Sequence, residues 1–150
     1  MSTNHGQVES LQINLKSRQP MQQLDHATAV AGAGLQGCRH SKPGNERAVL
    51  LVDIETLGEF GLLPGEIKEN ITTRDIDPSS MSPGSQLQLG DTVVLEVTGP
   101  CAPCRRMDEI RPGLQRQLQG RRGVNCRVLV GGQVRTGDPV VLVRTGRHLP

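Results

Sequence analysis

The chain has no tryptophan, no tyrosine and a single phenylalanine, Phe60, in 150 residues. Proteins that stack bases need aromatic faces to do so, and this one has none to offer. Excess charge is missing too. Seventeen basic side chains oppose 15 acidic ones, a formal net charge of +2, far from the basic footprint that neutralises a phosphate backbone. No nucleic-acid partner is expected. Long apolar runs are also absent: no stretch approaches the roughly 18 residues of a membrane span, and "MSTNHGQVES" has neither the basic start nor the apolar centre of a secretory signal. We expect a cytoplasmic protein with no membrane partner. Cysteine is scarce, four residues at irregular spacing. A chain able to hide roughly 68 to 70 % of its unfolded surface folds without staples, so reduced thiols are expected.

What is present reads mainly as strands. "LQINL" alternates Leu11, Ile13 and Leu15 with polar residues, the period of a half-buried strand. "RAVLLVDIE" is an uninterrupted apolar run of strand length, and Ile54, Leu57 and Phe60 after it fall on one short helical face. "DTVVLEV" is β-branched, with Val93, Leu95 and Val97 on one side. "RPGLQRQLQG" predicts a helix with Pro112 in its first turn, Leu114 and Leu118 one turn apart and Gly120 as its stop. "CRVLVGGQV" predicts a hairpin turning at Gly131 and Gly132, and "PVVLV" a last strand. Long loops are expected at "SKPGNER" and from Asp75 to Gln86. The expected class is mainly β, a barrel or sandwich with appended short helices, in one domain without internal repeats.

Chemistry gathers around "GPCAPCRRM", where Cys101 and Cys104 follow the strongest strand. Three readings compete. A strand leading into C-x-P-C imitates a thioredoxin-type redox pair, but the residues after Cys104 are too few for the rest of that fold. A zinc knuckle would need Cys38, His40 or Cys126 to complete it, and "CRH" has the wrong spacing, so zinc is not expected. The third reading is one thiolate at a strand end, binding a soft or high-valent metal or carrying sulfur. Supporting groups exist. Arg39, His40, Lys42 and Arg47 lie among glycines in "GLQGCRHSKPGNER", suited to gripping an anion with guanidinium forks and backbone amides. Asn70 in "KENITT" hydrogen-bonds from both sides, and Arg127 adds a fixed cation. Each has a plain alternative: solvated loop charges, a turn asparagine, a structural histidine, a rim arginine. Cys126, at the start of an apolar strand, reads as a small buried hydrophobe, and Cys38 has no reading either way.

In this order and spacing, "VESLQINL", "AGAGLQGCRHSKPGNERAVLLVDIETL", "LPGEIKENITT", "LQLGDTVVLEVTGPCAPCRRM" and "GVNCRVLVGGQVRTGDPVVLV" resemble the MOSC domain family, named for the C-terminal part of molybdenum cofactor sulfurase. The resemblance covers about Val8 to Val143. It implies a mainly β, barrel-like fold with one to three short helices, a single domain over 1–150 with its core at about 8–143. It places the family's proline-cysteine step on Pro103 and Cys104 and puts Cys38 where the family usually has aspartate. By resemblance, Cys104 is the thiolate ligand of the molybdenum cofactor, and Arg39, His40, Lys42, Arg47, Asn70, Thr72 and Arg127 line the pterin and phosphate side. The implied activity is reduction of N-hydroxylated compounds, supplied by an electron-donor protein. The alternative is a non-catalytic sulfur carrier bearing a Cys104 persulfide from a sulfur-donor protein. Pyridoxal phosphate is not expected, since Lys16, Lys42 and Lys68 have no Schiff-base setting. A domain this small has room to close its site as a homodimer or on a partner.

Overall fold

The computed structural model describes residues 4–146. In chain order the elements are β1 (His5–Ile13), β2 (Gln22–Leu24), β3 (His26–Val30), β4 (Gly34–Leu35), β5 (Val49–Asp53), α1 (Ile54–Glu59), β6 (Ile71–Arg74), β7 (Gln86–Leu89), β8 (Val93–Pro100), α2 (Met107–Ile110), α3 (Leu114–Gln117), β9 (Val124–Val130), β10 (Gly132–Arg135) and β11 (Pro139–Arg144). A 3₁₀ turn at Pro78–Ser80 interrupts the long loop before β7.

Seven strands close into a barrel in the order β11-β7-β8-β9-β5-β6-β1, with β1 pairing back onto β11 and β2 added outside β1. Closure removes the free edges that an open sheet would expose. Side chains alternate in and out along each strand. Val93, Leu95 and Val97 of β8, Leu87 and Leu89 of β7, and Val49 and Leu51 of β5 all enter one core.

The run from Val49 to Asp53 lacks alternation because β5 is covered on both faces. Its pairing with β6 is parallel, and the crossover between them carries α1. Buried strands of this kind read as continuous apolar runs. Leu50 and Val52 meet a second core on the outer face, built from Leu57, Leu62, Ile67, Met107, Leu114 and Leu118. Asp53 caps α1, its Oδ2 accepting Thr56 N–H at 3.0 Å and Thr56 Oγ1–H at 2.9 Å.

Three local expectations change. Gly131 and Gly132 do not turn a hairpin: β9 stays in the barrel while β10 leaves it to pair with β3 in a small separate sheet, β10-β3-β4. Glycine is required there because a Cβ on Gly132 would fall 2.1 Å from Thr92 Oγ1 and one on Gly131 would fall 2.6 Å from the Ala29 carbonyl oxygen. The helix at "RPGLQRQLQG" begins only at Leu114, after Gly113 in the left-handed region, so Pro112 precedes it. The alternation of "LQINL" stops at Ile13: Leu15 lies beyond the strand and is exposed, whereas Gln12 and Asn14, on the polar side of the pattern, are buried.

Candidate functional site

The last residue of β1 leads into Asn14, the end of β8 leads into Cys104, and β6 and β9 are entered from Lys68 and Arg122. These strand ends, with Arg39 and His40 from the loop after β4, enclose a cavity of about 410 Å³. Arg18, Arg39, Lys68, Arg106 and Arg122 line it against two carboxylates, Glu66 and Glu109. One of those, Glu109, is already paired with Arg18 at 3.3 Å. The surplus is cationic and suits an anion.

Arg122 is the unusual member. It is buried, and its guanidinium is held by main-chain carbonyls, Nη2–H donating to Ile67 O at 3.0 Å and Nη1–H to Ala102 O at 3.3 Å. Among the described residues no carboxylate lies within ion-pair distance of it, and its Nε has no partner. A buried cation without a direct ion pair is costly; the Arg122 charge bears at longer range on the buried Glu69 carboxyl and is open to an anion in the cavity that Arg122 lines. Gly123 allows this approach: its φ is +72° and a Cβ there would lie 1.8 Å from the Leu51 carbonyl oxygen.

Cys104 sits exposed at the cavity wall. Its loop is fastened at several points, with Cys101 N–H donating to Gly123 O at 3.1 Å, Gln115 Nε2–H to Pro103 O at 3.2 Å and Met107 N–H to Cys104 O at 3.0 Å. Cys101 is unpaired and packs toward the outer core. The two cysteines are therefore unlike: one thiol opens onto the cavity beside Arg106, and the other supports the loop.

Cys38 and Asn70 are buried against each other behind this wall, outside the cavity lining. Asn70 Nδ2–H donates to Cys38 Sγ at 3.6 Å and to the Gln12 carbonyl at 3.3 Å. His40 Nδ1 lies 4.0 Å from the same sulfur. Burial pushes the Cys38 thiol up, but the His40 side chain and the backbone N–H groups of Asn14 and His40 outweigh it and bring its pKa down to about 7. Below Asn70, Glu69 Oε2 accepts Gly65 N–H and Thr72 Oγ1–H, both at 2.9 Å, while Gln12 Nε2–H reaches Thr72 Oγ1 at 3.3 Å. Burial pushes the Glu69 carboxyl above the usual range, and its Oε1 has no partner.

Of the residues named from sequence, Arg39, His40 and Cys104 share the cavity wall. Asn70 and Thr72 are buried in the network beneath it. Lys42 and Arg47 lie on the exposed part of the loop, outside the cavity lining; Arg47 N–H donates to Asn45 Oδ1 at 2.9 Å and Asn45 Nδ2–H in turn holds the His40 carbonyl at 2.8 Å. Arg127 is on the outer surface of β9, where its Nε–H donates to Glu96 of β8 at 2.8 Å across the strand pair. Sequence reading missed Asn14, Arg18, Lys68, Arg106 and Arg122. Arg106 follows Cys104 by two residues, "GRRG" flags Arg122, Lys68 opens "KENITT" and Asn14 stands on the polar side of "LQINL", while Arg18 lies in a stretch with no motif. Cys126 is fully buried, as its apolar setting implies, and burial pushes its thiol pKa up. Among the described residues no three His, Cys, Asp or Glu side chains are grouped to hold a metal by themselves, and no helix is long and apolar enough to cross a membrane.

Comparison with known proteins matches this architecture. The chain superposes on the YuaD protein of Bacillus subtilis with a TM-score of 0.77 at 23 % identity, over 91 % of this chain and 94 % of that one. It superposes on YiiM of Geobacillus stearothermophilus with a TM-score of 0.71 at 22 % identity, over 91 % and 74 %, and on YiiM of Escherichia coli with 0.69 at 21 %, over 96 % and 72 %. A protein of Gibberella moniliformis named "Reductase" is 28 % identical over an alignment 145 residues long that covers 81 % of this chain and 25 % of the fungal protein, so the chain spans about a quarter of that relative. The family described as MOSC domain matches residues 39–141, from the Arg39 loop through the barrel and the Cys104 loop into β11. By that match the chain belongs to the MOSC domain family.

Proposed function

We propose that this MOSC domain binds the molybdenum cofactor in the cationic cavity, with Cys104 as the thiolate ligand, and acts in the reduction of N-hydroxylated compounds. The observation that carries the reading is the juxtaposition of an exposed thiol, Cys104, with a buried guanidinium, Arg122, whose Nε has no partner in the same cavity. A soft thiolate suits a metal already bound by sulfur, and unpaired buried donors suit the anionic, polar organic part. Asn14 adds a buried acceptor, its Oδ1 also without a partner. The residues present thus fit the group. When bound, the cofactor supplies the two-electron chemistry. The chain's part is to hold and orient: Arg39, Lys68 and Arg106 draw and grip the phosphate side, Arg122 donates from within, and the Cys104 loop fixes the thiolate against α2. The fungal relative named "Reductase" supports the reaction class.

A sulfur-carrier role is favoured by a different feature, the exposure of Cys104 between two mouths of the surface, with Arg105 and Arg106 beside it. A thiolate that must meet a donor protein needs such access. The two readings separate in one preparation. Protein purified from a host that makes the cofactor should carry molybdenum and a pterin that fluoresces after oxidation, in roughly one-to-one ratio with the chain, and should reduce an amidoxime when given a chemical reductant. Well-folded protein without either component contradicts the cofactor reading; a one-sulfur mass increase on Cys104 in that same protein would favour the carrier.

A further inference from the structure

Negative charge gathers at the exits of β5 and β6. Asp53 ends β5, Asp75 and Asp77 follow β6, and Glu55 and Glu59 stand on α1. The two strands are parallel. The chain approaches β6 from Lys68, on the wall of the Cys104 cavity, and leaves it at Asp75, so this cluster stands at the other end of the pair. A second hollow of about 400 Å³ lies here, lined by all five carboxylates and one cation, Arg121. It shares no lining residue with the first. Arg121 is committed to Glu59 at 2.8 Å, and among the described residues Asp53, Glu55, Asp75 and Asp77 have no ion pair.

Exposed carboxylates are well served by water, but Asp53 is only 4 % exposed. Its Oδ2 is occupied, accepting Thr56 N–H at 3.0 Å and Thr56 Oγ1–H at 2.9 Å. Its Oδ1 is buried without a partner, on a residue that lines the hollow. An orphaned buried acceptor costs free energy until something positive meets it. What stands against it instead is another carboxylate, the exposed Asp77, within hydrogen-bonding reach; partial burial and the Asp53 charge push the Asp77 carboxyl above its ordinary value. Asp77 Oδ1 accepts Ser79 N–H at 2.9 Å, which leaves one oxygen of each carboxylate unused.

The size of the missing group follows from the burial. An alkylammonium or guanidinium is too wide to reach an oxygen that water scarcely touches. Mg²⁺ approaches oxygen to about 2.0–2.1 Å, keeps several of its waters and is commonly held by only one or two carboxylates. That matches a place where the described residues bring no third acidic group into coordinating range, with the hollow leaving room for the waters. Ca²⁺ wants about six to eight oxygens, and zinc prefers nitrogen and sulfur.

We propose that Asp53 and Asp77 bind a divalent cation of the magnesium class, Asp53 through its buried Oδ1, with waters on the side of the hollow. Glu55 and Asp75 add charge around it, tied to each other by Asp75 N–H donating to Glu55 Oε2 at 3.1 Å. The ion fastens the exit of β5 to the turn at Pro78–Ser80, which packs on that strand. The site is structural and independent of the cofactor reading, so either stands if the other fails.

Thermal unfolding of the native full-length protein at neutral pH tests it, in saturating MgCl₂ against KCl of equal ionic strength with EDTA. A ligand of the folded state raises the midpoint, here by about 3 °C or more. Asp53→Asn should lose that rise; asparagine still caps α1, so the fold is kept while the buried charge is removed. Asp77→Asn keeps an acceptor for Ser79 N–H and should lose it as well, whereas Asp91→Asn, in the turn between β7 and β8, should retain it. Mn²⁺, followed by water-proton relaxation, should bind at about one per chain in the wild type, be displaced by Mg²⁺, and fail to bind Asp53→Asn. Should Asp53→Asn not fold, Asp77→Asn, on an exposed loop, decides. No rise in the wild type, or an equal rise in the Asp53 and Asp77 variants, overturns the proposal and leaves the two carboxyls sharing a proton.

Discussion

Asn70 and Leu50 are joined twice. Leu50 N–H donates to Asn70 Oδ1 at 2.9 Å, and Asn70 N–H donates to Leu50 O at 2.9 Å. One side chain thereby extends the parallel β5–β6 pairing ahead of the first residue of β6, and the other half of its amide reaches the Cys38 loop. Asn70→Ala leaves Leu50 N–H buried and unsatisfied, an expected loss of about 1–3 kcal/mol. Urea unfolding monitored by far-ultraviolet circular dichroism measures it, and a change below about 0.5 kcal/mol would show that the amide is not holding the two strands.

Arg122 predicts an affinity effect distinct from bulk charge. Arg122→Lys keeps the charge but cannot serve both the Ile67 and Ala102 carbonyls with a planar fork. Binding of inorganic sulfate, followed by calorimetry, should weaken roughly tenfold, about 1.4 kcal/mol, whereas Arg144→Gln on β11, away from the cavity, should leave it unaltered.

Glu69 makes stability depend on pH. Burial, the largest influence, raises its folded-state pKa above the unfolded value. The sign follows: the folded state holds the proton more tightly, so this contribution is present below the unfolded carboxylate pKa and is lost as pH rises through the folded one. Glu69→Gln keeps an acceptor for Gly65 N–H and Thr72 Oγ1–H without the ionisation. Its thermal midpoint should match wild type in mild acid and exceed it at pH 8. Parallel curves for the two proteins from pH 4 to pH 8 would contradict this.

Two glycines with nearly equal φ should respond differently. Gly123 and Gly120 have φ of +72° and +74°, but a Cβ on Gly123 meets the Leu51 carbonyl oxygen at 1.8 Å while one on Gly120 meets nothing within 4 Å. Gly120→Ala should cost about 1 kcal/mol, the strain alone. Gly123→Ala should cost at least about 3 kcal/mol, adding a backbone displacement to it, with denaturant midpoints as the readout.

Strand patterns carried the barrel because its pairing follows from local alternation: Val93, Leu95 and Val97 announce their face, and the unbroken run at Val49–Asp53 announces burial on both. Gly131-Gly132 misled because a hairpin and a departure from the sheet share the same two residues; the partner chosen by β10 is β3, about a hundred residues earlier. The site was half legible. Cys104, Arg39 and His40 stood in recognisable loops, but Asn14 and Gln12 read as the solvent side of a strand. Only closure of the barrel, which brings Thr72, Glu69 and Asn70 against that side, shows why they are buried. Cys38 was silent for the same reason: its donors come from residues 14, 40 and 70, and no linear spacing brings them together.

The central claim is that one thiol, Cys104, holds the metal, and that its neighbour three residues away does not. Molybdenum per chain, measured by mass spectrometry on proteins purified in parallel from a cofactor-producing host, tests it most directly. The account predicts roughly one molybdenum in the wild type, about the same in Cys101→Ser, and almost none in Cys104→Ser with the barrel intact by circular dichroism. Equal loss in the two variants, or full retention in Cys104→Ser, would contradict it.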